Sequence, residues 1–267
     1  MRTGERMRGM EFRVLAVGDV VGKPGLAFLS RRLRTLRRRV GADFCVVNGE
    51  NAAMNGMTPG QGEDILDAGA DVVTLGNHTW RQREIVDYLD ETDRVLRPAN
   101  FAPQLPGTGV GVYETEIGPL AVVSLIGRYG LDVHADNPFY KMDAILRQHP
   151  GIPVLVDFHA EASSEKLAMG FYLDGRVSAV WGTHTHVPTA DLRILPQGTG
   201  YITDLGMTGP RDSVLGIRPE QSIALFRGEL TSRFAAAPGP CWLCGAVFTL
   251  DGATGRCLAA EPVLELE

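Results

Sequence analysis

Hydrophobic residues in this chain form short continuous runs, and each run is followed by a polar turn that usually contains glycine. The runs occupy residues 12–17, 44–47, 72–75, 120–126, 154–156 and 177–181. Apolar runs of this length, without polar alternation, are typical of strands that are covered on both faces. The pattern therefore predicts a layered α/β fold.

Helical periodicity appears between several of these runs. It predicts helices at residues 26–40, 61–68, 84–89, 140–148 and 163–173, and the pair Asn137-Pro138 is typical of a helix start. Near the carboxyl end, apolar segments at 245–250 and 256–263 flank Asp251-Gly252, which predicts an antiparallel hairpin. We find no repeat and no linker. We therefore expect one domain at 12–267, with residues 1–11 an amino-terminal extension or an early start.

Composition and charge narrow the class of protein. The 267 residues are 44% hydrophobic and 22% charged, with a formal net charge of -6, which is typical of a globular protein. The acidic balance argues against polyanion binding as the main task, whereas a small phosphorylated substrate stays open if bound cations reverse the local charge. No apolar segment is long enough to span a bilayer, and the amino terminus lacks a convincing signal peptide, so we expect a cytoplasmic protein without membrane contact.

Three further features have two interpretations each. Six arginines in the helix at 26–40 could form a nucleic-acid patch, but a solvated helix face is favoured in an acidic chain. Cys241 and Cys244 have zinc or redox spacing, but a single pair favours reduced thiols. The segment 201–217, rich in Gly, Thr and Asp, is either a loop over a site or a subunit contact.

Residues of types that commonly bind metals follow five of the apolar runs. They are Asp19, Glu50, Asn51, Asn77, His78, His159, His184 and His186. The carboxyl ends of strands are where open α/β sheets place their sites, and mixed carboxylate, amide and imidazole ligands suit manganese, iron or zinc. A structural zinc site closes at four ligands, usually with cysteines. The larger set predicts two ions that share a bridging carboxylate, either Glu50 or Asp19.

The pair His184 and His186 is separated by one residue. If the strand at 177–181 continued through it, both rings would lie on one face and could reach the same ion. His134 and His149 do not follow an apolar run, and we leave them out of the site.

These residues resemble a known family. The segments Gly18-Asp19, Gly49-Glu50-Asn51, Gly76-Asn77-His78, His159 and Gly182-Thr183-His184-Thr185-His186 are similar to the ordered motifs of calcineurin-like metallophosphoesterases. The residues at 18–22, 48–53 and 203–210 resemble the YmdB-like subgroup in particular. The resemblance spans nearly the whole chain from residue 12 and implies a four-layer αββα sandwich with two metal ions at the strand ends.

The resemblance also implies a role for each residue. Asp19 and His186 would hold the first ion, and Asn51 would add an oxygen to it. Asn77, His159 and His184 would hold the second ion, so that His184 and His186 serve adjacent ions. Glu50 would bridge the two, and His78 would stay unliganded as the general acid.

The chain departs from the broad superfamily at its first motif. The usual Asp-x-His is replaced here by Asp19-Val20-Val21, and the bridging residue is Glu50 in place of aspartate. The YmdB-like subgroup shares both changes. Iron or manganese ions are expected, with zinc or magnesium as further candidates.

The function implied by the resemblance is hydrolysis of small phosphodiesters, with 2′,3′-cyclic nucleotides as the substrate class. Hydroxide held by the metals would attack phosphorus, and His78 would protonate the departing oxygen. A homo-oligomer is also implied. Two alternatives stay open: a regulatory protein that binds RNA or a ribonuclease and has a vestigial metal site, and a phosphomonoesterase.

Overall fold

Two β-sheets form the centre of the protein, and a layer of helices covers each of them. The computed structural model describes residues 9–267. The first strand begins at Glu11, and most of the predicted extension at 1–11 lies outside the described residues. The arrangement confirms the predicted four-layer αββα sandwich.

The first sheet has eight strands, in the spatial order β2-β12-β13-β1-β3-β4-β5 with β14 paired to β13. The strands are β1 (Glu11–Val17), β2 (Asp19–Val20), β3 (Phe44–Asn48), β4 (Val72–Thr74), β5 (Val95–Leu96), β12 (Met207–Pro210), β13 (Cys241–Asp251) and β14 (Cys257–Leu266). Strands β1, β3, β4 and β5 run parallel, while β13 is antiparallel to β1. The carboxyl ends of the parallel strands therefore meet at one edge.

The second sheet has six strands, in the order β10-β11-β9-β8-β7-β6. They are β6 (Val110–Thr115), β7 (Gly118–Ile126), β8 (Val154–His159), β9 (Ala179–Thr183), β10 (Arg193–Ile194) and β11 (Gly200–Ile202). Strands β7, β8, β9 and β11 run parallel, so this sheet also gathers its carboxyl ends at one edge.

Six helices are present among the described residues. They are α1 (Gly22–Arg39), α2 (Pro59–Asp67), α3 (Ile85–Glu91), α4 (Pro138–Gln148), α5 (Ser163–Leu173) and α6 (Pro219–Phe226). The first three pack on the outer face of the first sheet, and α4 and α5 pack on the outer face of the second. The two helix layers thus close the sandwich on both sides.

Alternate residues of each strand pack into different cores, as strand geometry requires. On β1, Leu15 and Val17 pack against the helices, while Val14 and Ala16 pack against the second sheet. The core between the sheets also includes Trp181, which stacks on a phenylalanine of β13. Burial on both faces explains why the strands appear as unbroken apolar runs.

The structure extends or corrects several predicted elements. Helix α1 begins at Gly22, four residues before the predicted 26, because its first turn contains small residues and shows no apolar periodicity. Helix α6 was not predicted, since its apolar side chains are largely exposed and mark no buried stripe; Phe226 is 83% exposed. The predicted helix at 163–173 and the hairpin of β13 and β14 are confirmed.

The expectation that the strand continues through His184 and His186 is wrong. Strand β9 ends at Thr183, and both histidines have left-handed backbones, with φ of 96° and 62°. The positions of their rings are therefore set by a loop and not by strand alternation.

All four cysteines are free and buried, as the reduced-thiol interpretation requires. Burial raises the pKa of Cys241 to about 11 and that of Cys244 to about 12. In the part of the chain that the structure describes, none of the helices has the length and apolarity needed to cross a membrane.

Candidate metal centre

The predicted site residues come together where the carboxyl ends of both sheets meet. Asp19 lies at the exit of β1, Glu50 and Asn51 follow β3, and Asn77 and His78 follow β4. The second sheet contributes three histidines from the ends of β8 and β9, namely His159, His184 and His186. Five strand exits that are far apart in the sequence therefore face one another across the sandwich.

One group of donor atoms surrounds the imidazole of His159. Its Nε2 atom lies 2.8 Å from Glu50 Oε1, 2.9 Å from Asn77 Oδ1 and 3.1 Å from His184 Nδ1. One ring nitrogen cannot satisfy three such neighbours by donating a single proton. Glu50, His159 and His184 present ligand atoms that all lie within 4.8 Å of one another, so they could hold a metal ion.

The other nitrogen of His159 determines which tautomer the ring adopts. Its Nδ1 atom lies 2.9 Å from Thr183 Oγ1, and the Thr183 hydroxyl donates to Asp157 at 2.7 Å. Because the threonine proton is already used, His159 Nδ1–H must be the donor in this contact. In a neutral ring, Nε2 then carries the lone pair that faces Glu50 and Asn77, as in a metal-binding histidine held by a hydrogen bond behind it.

A second group of donor atoms surrounds Asp19. This side chain is fully buried, and its Oδ1 atom has no hydrogen-bond partner. The nearest ring nitrogen is His186 Nε2, at 3.6 Å. His186 Nδ1 donates to the Leu215 carbonyl at 3.1 Å, so a neutral His186 also turns the lone pair of Nε2 toward Asp19.

Asn51 and His78 lie next to this second group. The Asn51 amide nitrogen is 3.1 Å from His186 Nε2, and its oxygen is 3.1 Å from His78 Nδ1. A half-turn of the amide would present the oxygen to the His186 side. The His78 ring is 3.6 Å from Glu50 Oε1, and its backbone N–H donates to Glu50 Oε2.

The charges of the buried groups indicate a site built for a cation. Burial lowers the pKa of His159, but the carboxylates of Glu50 and Asp19 outweigh burial and raise it to about 9. Burial raises the pKa of both carboxylic acids, but the neighbouring histidines hold each below its ordinary value. Burial and the charge of His159 lower the pKa of His184 to about 3.

These observations fit metal ions better than a closed hydrogen-bond network. A buried carboxylate oxygen without a partner is costly, and lone pairs that converge on one point repel each other. Without a cation, the proton on His159 supplies the positive charge between the carboxylates. Metal binding would release that proton and satisfy Asp19 Oδ1.

A buried ion pair anchors the loop that contains His184 and His186. Lys166 Nζ lies 2.7 Å from Asp204 Oδ2, and both side chains are almost completely buried. Asp204 also accepts hydrogen bonds from the backbone N–H and the hydroxyl of Thr185. Thr185 lies between the two histidines, so this contact holds the left-handed loop in place.

Part of the donor set opens onto a cavity of about 350 Å³, within the range of small-molecule sites. Its lining includes Asn51, His78, His184 and His186, together with Val21, Met54, Glu161, Thr185, Leu215 and Ile217. None of these described residues is Lys or Arg. The lining therefore offers an anionic ligand no permanently charged cationic side chain.

Sequence reasoning missed residues that support the site. Glu161 Oε2 lies 3.1 Å from His184 Nε2, which leaves Nδ1 of that ring facing His159. Glu161 follows His159 by two residues, and that spacing could have suggested it. Asp157, Thr183 and Asp204 have no comparable local signal, because buried polar residues resemble ordinary strand or turn residues in sequence. The segment 201–217 supplies β12 and two residues of the cavity wall.

Comparison with known proteins agrees with this architecture. The family model described as YmdB-like protein matches residues 15–263. The chain is 44% identical over 255 residues to a Bacillus subtilis strain 168 protein named 2′,3′-cyclic-nucleotide 2′-phosphodiesterase, covering 94% of this chain and 96% of that protein.

Two solved structures are similar over almost their full length. The first, a hypothetical protein from Thermus thermophilus, has a TM-score of 0.89 and 41% identity, covering 96% of this chain and 100% of that one. The second, called a novel phosphatase from Mycoplasma pneumoniae, has a TM-score of 0.90 and 35% identity, covering 97% and 94%. On its sequence motifs, its fold and these matches, the chain belongs to the YmdB-like protein family.

Proposed function

We propose that this protein is a dinuclear-metal phosphodiesterase that hydrolyses small phosphodiesters, with 2′,3′-cyclic nucleotides as the substrate class. One observation carries the proposal. Carboxylate, amide and imidazole donors converge at two adjacent points, around His159 Nε2 and around the unpartnered oxygen of Asp19. The relative from Bacillus subtilis, whose name specifies that activity, supports the substrate class.

We assign the residues to the two ions as the family resemblance implies. Asn77, His159 and His184 would hold one ion, Asp19 and His186 would hold the other with Asn51, and Glu50 would bridge them. Two divalent ions bound there would supply positive charge for the phosphate oxygens and an acidified water as nucleophile. Iron or manganese suits this mixed oxygen and nitrogen donor set.

His78 is proposed as the general acid. It lines the cavity, and contacts with Asn51 and Glu50 hold its ring and its backbone. A general acid must remain free to carry a proton, so it should not be a ligand. Protonation of the departing ribose oxygen by a placed imidazole typically contributes about 10²–10⁴-fold to the rate.

The regulatory RNA-binding alternative receives little support from the arginine-rich helix α1. Three of its arginines are paired with acidic side chains of the same molecule, in the pairs Arg31–Glu267, Arg37–Asp71 and Arg39–Glu265. Proteins that bind single-stranded nucleic acid combine a positive groove with stacking aromatic residues. The described cavity lining offers neither, and Glu161 makes it more acidic.

Metal analysis combined with a substrate panel tests the proposal. The purified protein, loaded with manganese or iron, should bind two ions per chain and hydrolyse cyclic nucleotides faster than linear diesters or monoesters. Preference for monoesters would favour a phosphomonoesterase. Absence of hydrolysis with either metal would refute the proposal, and salt-sensitive RNA binding would then favour the regulatory alternative.

Replacing His78 tests its assigned role. His78→Ala should lower kcat by about 10²–10⁴-fold while metal content stays at the wild-type level. The matched control is His134→Ala, because His134 is exposed and is not among the cavity residues. A His78 variant that loses its metals would show that this residue is a ligand.

A further inference from the structure

Strained backbone conformations are concentrated around the cavity. Among the described residues other than glycine, four have positive φ: Met54, His184, His186 and Leu215. All four line this one cavity. Left-handed backbone is costly for residues with a Cβ and persists mainly where the surrounding structure or the function requires it.

The side chains of two of these residues have no role in the metal site. Met54 and Leu215 have φ of 68° and 55°, positions where glycine or asparagine would be less strained. Leu215 is also 44% exposed, so folding gains little from its side chain. An apolar side chain that is both strained and exposed at the mouth of a site suggests a role in contacting a ligand.

Met54 and Leu215 belong to a continuous apolar surface, which we call the apolar wall: Val21, Met54, Leu215 and Ile217. The backbone between its members is tightly packed. A Cβ added to Gly216 would lie 2.4 Å from Val21 Cγ1, and one added to Gly22 would lie 2.6 Å from Met54 Sδ. The wall is therefore formed by three chain segments, at 21–22, 54 and 215–217, that pack closely at Gly22 and Gly216.

The apolar wall adjoins the proposed phosphate site directly. The Leu215 carbonyl accepts the hydrogen bond from His186 Nδ1 at 3.1 Å. A ligand whose phosphate lies against His186 would therefore place its neighbouring atoms next to Leu215. Cyclic nucleotides have one anionic end and one planar group with apolar faces. The cavity has two matching parts, the proposed phosphate site beside His186 and the apolar wall.

We propose that the apolar wall binds one face of the nucleobase, and this inference rests on the proposed function of the metal centre. Leu215 and Ile217 supply the accessible apolar area, Val21 packs behind them, and the Met54 thioether suits contact with an aromatic ring. The wall then distinguishes a nucleotide from a simple phosphodiester, while the metal-binding residues treat both alike.

Glycine substitutions can remove these side chains with little effect on the backbone. Met54→Gly and Leu215→Gly are compatible with positive φ, and Leu215→Gly keeps the carbonyl that orients His186. Leu230→Gly is the matched control, because Leu230 is a fully exposed loop residue that does not line the cavity. Metal content of each variant, measured by mass spectrometry, should equal that of the wild type.

Two measurements on the manganese-loaded variants test the inference. The first is calorimetric binding of adenosine 3′-monophosphate, the product of cleavage at the 2′ ester, against inorganic phosphate. The second is kcat/KM for 2′,3′-cyclic AMP against ribose 2,3-cyclic phosphate, which has no base. Each wall variant should weaken nucleotide binding and kcat/KM by about tenfold, as expected for lost apolar contact in a pocket. Binding of phosphate and hydrolysis of the base-free ester should stay within about twofold.

Equal losses with and without the base would show that the wall acts through the metal ligands, and would overturn the inference. Unchanged nucleotide binding in both variants would also overturn it. If the wild type hydrolyses neither ester, the proposed function fails, whereas the calorimetric comparison still decides whether the wall contacts the base.

Discussion

Replacing Lys166 by methionine should destabilise the protein and loosen the loop that places His184 and His186. Methionine retains most of the aliphatic stem, which packs against β9 near Gly182, and removes only the ammonium group. Asp204 would then keep its negative charge in a fully buried position. Its remaining donors would be Thr185 and the backbone N–H of Gly206.

The expected cost follows from the burial of both partners. Lys166 and Asp204 are 2% and 0% exposed in their side chains, and their charged atoms are 2.7 Å apart. Removing one partner of such a pair costs about 3–5 kcal/mol, because the other charge is left uncompensated. Because Asp204 keeps its other hydrogen bonds, we expect a loss at the lower end of this range, about 3 kcal/mol.

Urea unfolding of the metal-free protein measures this cost. A loss of about 3 kcal/mol should lower the urea midpoint by about 1 M, at a slope of about 3 kcal/mol/M for a chain of this size. The exposed Lys23 on α1 offers a matched control, and Lys23→Met should change stability by less than about 0.5 kcal/mol. The double variant Lys166→Met/Asp204→Asn removes both charges and should be less destabilised than the sum of the single variants by about 2 kcal/mol.

Two results would refute this reasoning. One is a Lys166→Met midpoint that matches the wild type, which would mean that Asp204 does not depend on its partner. The other is strict additivity in the double variant, which would mean that the two charges do not interact. A variant that loses stability but binds metal ions with unchanged affinity would show that the Lys166–Asp204 ion pair does not position the loop with His184 and His186.

Three further predictions concern the proposed metal ligands and the surface. Glu50→Gln should lose both ions together in metal analysis, because one carboxylate is assigned to both; loss of a single ion would contradict bridging. Thr183→Val removes the acceptor behind His159 and should weaken metal affinity by about 10–100-fold, while Thr183→Ser, which keeps the hydroxyl, should not. Arg39→Ala breaks a pair in which Arg39 is exposed and Glu265 is partly buried, and it should change the free energy of unfolding by less than about 1 kcal/mol in denaturant titrations. A large loss there would show that α1 depends on its charges.

The main elements and the members of the candidate site could be predicted from sequence because both depend on local patterns. Strands buried on both faces must be apolar throughout, so β1, β3 and β8 appear as runs. Parallel strands place their carboxyl ends at one edge, so polar residues after those runs must gather there. Those two rules are enough to predict that Asp19, Glu50 and His159 lie close together.

Local sequence patterns do not predict a residue's role when that role depends on contacts with distant parts of the chain. Helix α6 escaped prediction because it buries almost no apolar side chain. The wall residues Met54 and Leu215 come from segments far apart in the sequence, and each resembles an ordinary loop residue. Only the folded chain brings them to one cavity.

The pair His184 and His186 shows what local sequence determines and what tertiary structure determines. The sequence by itself determined that two imidazoles follow a buried strand and that carboxylates follow its neighbours. Tertiary structure decided how the rings point, because Lys166 and Asp204 hold Thr185 in a left-handed loop, and the Leu215 carbonyl selects the His186 tautomer. The physical reason is that backbone conformation in a loop is set by hydrogen bonds to distant partners, and neither residue type nor spacing encodes those partners locally.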